Sequence, residues 1–282
     1  MSGRIPAKNA QDLARVVDKI SRYEPLSSRS ALFIDAVKDA VPVFNSARFL
    51  KHISLGLQRK WKVHEVREGR DECKPATIVE KLNGGGYSLV VGMTHGILFG
   101  IVIDSVKRMR VVDRHLEEIK HEENIILMCE EIEKAGWYEE SLKPAILDTR
   151  DVRNLKNGVP FFFFGFGCYI AALDYRSGYS IVEQFVMQKR GAIAACGLSR
   201  DISEVTRDDY HAALERKGGL HFEIGESVIL NLCNHRMSFG EALARAIEEY
   251  SLSHPELIKD LDQKRVLFGL TLIGDPTLRL MR

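Results

Sequence analysis

The sequence predicts an α/β protein whose mostly parallel sheet is covered by helices on both faces. Short apolar runs of strand length alternate along the chain with helical patterns, and capping signals precede several of those patterns. Strands separated by helices pair in parallel, and each crossover lays a helix on the sheet. The length of 282 residues suits one large domain, or one domain with an insertion.

The first third of the chain shows the alternation clearly. Asn9, with Asp12 three residues further on, predicts the start of a helix with an apolar stripe. Pro75 predicts the start of another helix, because proline suits the first helical turn. The remaining predicted elements are a strand at 30–35, a helix from 45 or 46 to 59, a strand at 61–66 and a strand at 87–93; the helix that begins at Pro75 extends to 82.

The stretch 97–144 interrupts this regularity, and we interpret it as an insertion or lid. It begins with a glycine-broken apolar run and continues with a charge-rich helix at 113–136. Regular elements then return, the clearest being a helix capped by Ser238 and Glu241. They are helices at 151–157, 179–188, 205–216 and 239–250, and strands at 160–166, 192–196 and 266–272.

Composition excludes several classes of protein. Hydrophobic residues make up 45% and charged residues 28%, which predicts a packed core. The net charge of +1 argues against nucleic acid or an anionic membrane as a direct partner. The most apolar stretch, 159–173, is shorter than the roughly 20 residues of a membrane span. Five cysteines without a CxxC pair argue against a disulfide framework or metal site and favour a reducing, cytoplasmic compartment.

Two reactive side chains follow predicted strands. His95 comes after the strand at 87–93, and Cys168 comes after the strand at 160–166. Open α/β sheets bind ligands beyond the carboxyl ends of their strands, so thiol and imidazole meet if these strands are neighbours. An imidazole stabilises the thiolate that attacks a substrate. The amides of Gly96 and Cys168 are candidates for binding an oxyanion. The alternative is an inert, buried Cys168, with Cys196 as the rival nucleophile.

Several short segments stand out in a fixed order along the chain. They are 3–8 (GRIPAK), 82–85 (LNGG), 94–96 (THG), 151–160 (DVRNLKNGVP), 180–183 (SIVE), 191–195 (GAIAA), 240–243 (GEAL) and 274–278 (GDPTL). Their order over nearly the whole chain resembles peptidase family C25, the gingipain group of caspase-like cysteine peptidases. The resemblance implies a caspase-like three-layer α/β/α sandwich with a mostly parallel sheet.

The resemblance also implies a reaction. A dyad of Cys168 and His95 would hydrolyse polypeptide substrates through a thioester, with the oxyanion held by the amides of Gly96 and Cys168 and with no cofactor or metal. Some relatives orient the histidine with an early acid, for which Asp35 is the better candidate and Asp39 the other.

Substrate preference and regulation follow from the same resemblance. Asp201 and Glu204 occupy a region that lines the specificity pocket in relatives, so we expect a preference for Arg or Lys before the cleaved bond. Arg200 nearby leaves an acidic preference open, and Glu204 also suits the first turn of a solvated helix. We expect the insertion or a regulatory protein partner to control the activity.

The sequence departs from the family in ways that keep two alternatives open. Thr94 replaces a glycine before the histidine, and phenylalanines precede Cys168 where the family often has a small polar residue. A non-catalytic scaffold that binds a protein partner is one alternative. The other is a different cysteine hydrolase or amidotransferase that uses His221 or His235. Because the chain begins at the GRIPA segment, we expect a module or fragment of a longer protein, which leaves secretion open.

Overall fold

The computed structural model describes residues 3–25, 28–36, 46–57, 60–69, 73–97, 99–103, 143–174, 178–199, 220–255, 264 and 267–282. For residues 46–49, 220 and 221 it describes the backbone alone. Two expected helices, at 113–136 and 205–216, lie outside the described residues, as does most of the expected insertion.

One mixed sheet forms the centre of the protein. Its main strand order is β2-β1-β3-β6-β7-β8. The first five of these strands are parallel, and β8 runs antiparallel to β7. The strands are β1 Ser30–Ala36, β2 Lys62–Arg67, β3 Leu89–Ile97, β4 Gly100–Val102, β5 Ile146–Asp148, β6 Phe161–Gly165, β7 Ala192–Leu198 and β8 Leu270–Ile273. The mostly parallel sheet predicted from the alternation is confirmed.

Helices cover both faces of this sheet, which gives three layers. The described helices are α1 Ala10–Ser21, α2 Ser46–Gly56, α3 Pro75–Gly84, α4 Thr149–Arg153, α5 Ile181–Met187, α6 Leu220–Asn234 and α7 Phe239–Ser253. On one face α2, α6 and α7 pack on a core that includes Phe162 and Phe164. On the other face α1, α3, α4 and α5 pack on a core that includes Phe161 and Phe163. Among the described helices, none is long and apolar enough to cross a bilayer.

Local capping explains where several helices begin. Ser238 and Glu241 form the predicted capping box of α7, in which each side chain accepts a hydrogen bond from the other residue's N–H. Asn9 caps α1 as predicted. Helix α4 begins earlier than the predicted 151, because Asp148 accepts from the first-turn N–H groups and forms a capping box with Asp151. Such side chains satisfy amides that the helix itself leaves unpaired.

Helix α6 is a described element that the sequence analysis missed. Its buried residues include Ile224, Val228 and Ile229, which are β-branched and have no special preference for helix. Gly225 lies inside it, where a glycine usually weakens a helix. That glycine is needed because a side chain there would overlap the ring of Phe166. Tertiary packing, which local propensity does not report, therefore determines this helix.

Candidate active site

The strands that lead to His95 and Cys168 are neighbours in the sheet. β3 and β6 run in parallel, with Gly92 opposite Gly165. Beyond the end of β6, the N–H of Phe166 still donates to the carbonyl of Gly92 at 2.8 Å. The carboxyl ends of both strands therefore lie at the same edge of the sheet, where α/β proteins bind their ligands.

The backbone around His95 contacts the backbone around Cys168. A side-chain carbon on Gly96 would overlap the carbonyl oxygen of Cys168, and one on Gly167 would lie 3.0 Å from the amide nitrogen of Gly96. The two segments thus approach more closely than residues with side chains would allow. His95 and Cys168 are each partly exposed. The expected convergence is confirmed for the backbone, and the catalytic roles of the two side chains stay predictions.

Strand β3 extends further than the sequence predicted. The predicted strand ended at Met93, but β3 continues through His95 because it leaves the parallel sheet and pairs with β4. His95 lies opposite Val102 in this antiparallel ladder, and β4 in turn pairs with β5. β4, near the start of the expected insertion, and β5, which follows shortly after its end, therefore form a small antiparallel extension of the sheet. This extension pairs the backbone of His95 with that of Val102.

Asp35 lies on the strand next to His95. It occurs near the end of β1, opposite Met93 of β3, and is 7% exposed. Because side chains alternate along a strand, Asp35, Met93 and His95 belong to the same face of the sheet. This position suits the predicted role of orienting the histidine, and the role stays a prediction. Asp39, the other candidate, lies outside the described residues.

Glu68 is a buried acid at the same edge that the sequence analysis missed. It follows β2, is 7% exposed, and its N–H donates to the carbonyl of Asp35 at 2.7 Å. The residues next to it in the sequence are mostly charged, and such a pattern predicts a position on the surface. Its position just after a strand that flanks β1 is the signal that could have found it. Two acidic residues, Asp35 and Glu68, thus lie on the side of β3 that faces away from β6.

Thr94, a departure from the family pattern, is buried beside the site. It is 4% exposed and lies opposite Ala36 of β1. Among the described residues, its hydroxyl has no hydrogen-bond partner. A buried hydroxyl without a partner costs free energy, and this one directly precedes His95.

Cys196, the rival nucleophile, is unsuited to attack. It is fully buried in the core at the middle of β7. Burial raises the pKa of its thiol to about 12, so the thiolate is almost absent at neutral pH. Cys168, in contrast, is partly exposed and is not in a disulfide. Of these two cysteines, only Cys168 has the exposure that a nucleophile requires.

The phenylalanine before the site packs into the core. Phe166 is 4% exposed and stacks on Phe222 near the start of α6, with 5.4 Å between ring centroids. The ring of Phe166 is therefore part of the core and does not lie exposed beside Cys168. The start of α6 lies beside the Cys168 turn, and His235 follows the opposite end of this 15-residue helix. A helix of that length spans about 22 Å, so His235 is too far away to serve Cys168.

The predicted specificity residues lie outside the described part of the chain. They are Asp201, Glu204 and Arg200, and the described part of His221 is its backbone. Within the described ranges, no group of three or more His, Cys, Asp or Glu side chains is arranged to hold a metal ion.

A surface depression of about 810 Å³ lies at the opposite edge of the sheet. It is open and basic, and burial together with the charges of Lys62 and Lys81 lowers the pKa of His64 within it. The residues around it are Ser28, Arg29, Ser30, Lys60, Lys62, His64, Gly85 and Tyr87. These residues surround the amino ends of β1, β2 and β3, so the depression is separate from the His95–Cys168 edge.

Sequence comparison identifies one family. The sequence model of peptidase family C25 matches residues 1–281. No curated protein sequence matches the chain significantly.

Several solved structures share the fold. The crystal structure of the Arg-specific cysteine proteinase gingipain R (RgpB) is 15% identical, with a TM-score of 0.64 over 98% of this chain. The complex of the Porphyromonas gingivalis RgpB pro- and mature domains is 16% identical, with a TM-score of 0.65 over 99% of this chain. A structure described as a protease is 13% identical, with a TM-score of 0.61 over 98% of this chain. The chain spans about half the length of these proteins: 54%, 56% and 55%.

Proposed function

The chain belongs to peptidase family C25, and from that premise we propose that it is a cysteine peptidase in which Cys168 attacks the substrate and His95 transfers the proton. The observation that carries this proposal is the backbone contact between Gly96 and Cys168 at the shared end of β3 and β6. It brings the histidine segment and the cysteine segment to one edge of the sheet.

The reaction in this proposal uses side chains and amides of the chain, the substrate and one water molecule. His95 takes the proton of the Cys168 thiol, and the thiolate attacks the peptide carbonyl carbon. The amides of Gly96 and Cys168 donate to the oxyanion of the tetrahedral intermediate. His95 then gives the proton to the leaving amine, which leaves a thioester on Cys168. Water activated by His95 hydrolyses the thioester, so the acid product leaves and the thiol is restored.

Asp35 orients the imidazole in this proposal. Its position on β1, opposite Met93 and on the face shared with His95, supports this role. A carboxylate that accepts from one ring nitrogen fixes the tautomer and leaves the other nitrogen directed at the thiol.

We propose a preference for Arg or Lys on the amino side of the cleaved bond. The Arg specificity of gingipain R, a protein of the same fold, supports this. Asp201 and Glu204 remain the candidates for receiving the basic side chain. The complex of RgpB pro- and mature domains supports a regulatory polypeptide partner for this chain too.

Labelling with peptidyl acyloxymethyl ketones tests the proposal. Probes that carry Arg, Lys or Asp next to the reactive group are incubated with the wild type, with Cys168→Ala and with Cys196→Ala. The wild type and Cys196→Ala are expected to be labelled, with Arg and Lys probes faster than the Asp probe. Cys168→Ala is expected to stay unlabelled.

Two results would contradict the proposal. Equal labelling of Cys168→Ala would place the nucleophile elsewhere. A folded wild type that reacts with none of the probes would favour the non-catalytic scaffold. Cys196→Ala is the matched control, because it also removes a cysteine, one that is buried within the neighbouring strand β7.

A further inference from the structure

Ile170, two residues after Cys168, lies in a cradle of glycines. It is fully buried. A side-chain carbon on Gly165 would overlap its Cδ1, and one on Gly96 would lie 2.5 Å from its Cγ2. One on Gly197 would lie 2.8 Å from its Cγ1, and one on Gly167 would lie 3.1 Å from its Cγ2. The absence of four side chains therefore creates the space that this one side chain fills.

The four glycines come from the elements that the turn must join. Gly96 follows His95 on β3, Gly165 ends β6, Gly167 precedes Cys168 and Gly197 lies on β7. Interiors are packed at crystal-like density, so a branched side chain seated among these positions fixes their separation. Ile170 is thus in contact with the histidine strand and with the cysteine turn at once.

The backbone of the turn is shaped to bury Ile170. Tyr169 has φ of 57°, in the left-handed region that non-glycine residues rarely adopt. This conformation reverses the chain directly after Cys168. Residues held in such conformations persist where the surrounding structure imposes them, and they concentrate at functional sites.

Hydrogen bonds anchor Ile170 and its neighbour Ala171 on α5 and on the end of β7. The N–H of Val182, in the first turn of α5, donates to the carbonyl of Ile170 at 3.0 Å. The N–H of Ala171 donates to the carbonyl of Leu198 at the end of β7, also at 3.0 Å. Ile170 is therefore held by the helix and the strand behind the site, and it transmits that rigidity to Cys168.

We propose that Ile170 is a positioning residue, whose side chain in the glycine cradle sets the separation between Cys168 and His95. This rests on the proposed function, because it assigns the residue that holds the proposed pair together. Ile170 does not touch substrate; it acts through the turn.

The test compares Ile170→Ala with Ile78→Ala. Ile78 is a matched control, since it is also fully buried in the same core cluster but lies on α3. Alkylation of Cys168 by iodoacetamide is measured against pH by mass spectrometry of its peptide. Peptidase turnover is measured in parallel as kcat and KM.

In the wild type we expect Cys168 to react well below the ordinary thiol pKa of about 8.5, as a histidine-paired thiolate does. In Ile170→Ala we expect this low-pH reactivity to move towards that of an ordinary thiol. We also expect kcat to fall about 100-fold with little change in KM, the scale of a displacement of about 1 Å of a reacting group. Ile78→Ala should keep the wild-type profile, and Ile170→Val should be intermediate.

A second pair of variants keeps the test decisive if Ile170→Ala does not fold. Gly197→Ala places a methyl group against Ile170 Cγ1 and Val182 Cγ2, and the three nearest atoms include none of Cys168 or His95. It should shift the profile as Ile170→Ala does, and Ile170→Val added to Gly197→Ala should restore part of the wild-type reactivity.

The outcomes separate this proposal from the proposed function. Suppose that Cys168 of the wild type reacts at low pH and that neither Ile170→Ala nor Gly197→Ala changes this reactivity. That result overturns the positioning role of Ile170 and leaves the proposed dyad of Cys168 and His95 intact. A wild type whose Cys168 titrates like an ordinary thiol overturns both, because there is then no pair to position.

Discussion

Strand β6 and the turn that follows it are held in place by opposite means. The strand consists of four consecutive phenylalanines and a glycine, and the phenylalanines are buried on both faces of the sheet. In the turn, from Gly165 to Ile170, glycines let backbone lie directly on backbone and leave the space that the single side chain of Ile170 fills. Side-chain volume stabilises the first region, and the absence of side chains permits the second. The strand should therefore control stability, and the turn should control activity.

The largest expected effect is on stability, in Phe161→Ala. Phe161 is 1% exposed and contacts the ring of Phe185 edge-on, with 5.8 Å between centroids. We expect the free energy of unfolding to fall by about 3–5 kcal/mol, as for other buried aromatic truncations. Urea denaturation measures it, with Phe161→Leu as a milder variant. The folded fraction of Phe161→Ala should be labelled by the peptidyl probe at the wild-type rate. A labelling rate that falls together with the stability would contradict the separation of stability in the strand from activity in the turn.

The next largest effect is on activity, in Gly96→Ala. The added methyl group overlaps the carbonyl of Cys168, and a backbone atom cannot rotate away as a side chain can. We expect probe labelling to slow about 100-fold or more, because the two reacting groups move apart. Gly92→Ala is the matched control on the same strand, since its methyl group would lie at an ordinary 3.4 Å from the ring of Phe163. Equal rates for the two variants would refute the close-contact account of the turn.

The smallest expected effect is a loss of stability at alkaline pH. Burial raises the pKa of the Cys196 thiol to about 12 in the folded state, whereas the unfolded thiol titrates near 8.5. The unfolded chain therefore loses its proton first, and stability falls as pH rises above about 8.5. At pH 10 this one group costs about 2 kcal/mol. Denaturation at pH 7.5 and pH 10 measures the loss, and Cys196→Ala should show a smaller loss. An equal loss of stability in the wild type and in Cys196→Ala would contradict the assignment of this pH dependence to the Cys196 thiol.

The sequence was most informative where a local pattern has one structural solution. The alternation of strands and helices predicted a mostly parallel sheet, in which His95 and Cys168 share an edge if their strands are neighbours, and β3 and β6 are neighbours. The capping box of Ser238 and Glu241 predicted the start of α7. The capping box depends on residues that are close together in sequence. The prediction of the sheet depends on the general rule that strands separated by helices pair in parallel.

The sequence was least informative where packing between distant segments decides. The continuation of β3 through His95 depends on pairing with Val102, and the helical state of α6 depends on the sheet beneath it. The glycine cradle around Ile170 joins three strands and a turn, and no local pattern marks those glycines as one site. The specificity residues Asp201 and Glu204 stay predictions, since they lie outside the described residues.

A crystal structure of the chain after reaction with an Arg acyloxymethyl ketone tests the central claim most directly. The account predicts a covalent bond from the probe to Cys168 Sγ, with a ring nitrogen of His95 within hydrogen-bond distance of the reacting atoms. It also predicts the probe's oxygen about 3 Å from the amides of Gly96 and Cys168. A probe bonded to any other residue, or a His95 ring turned away from the sulfur, would contradict it.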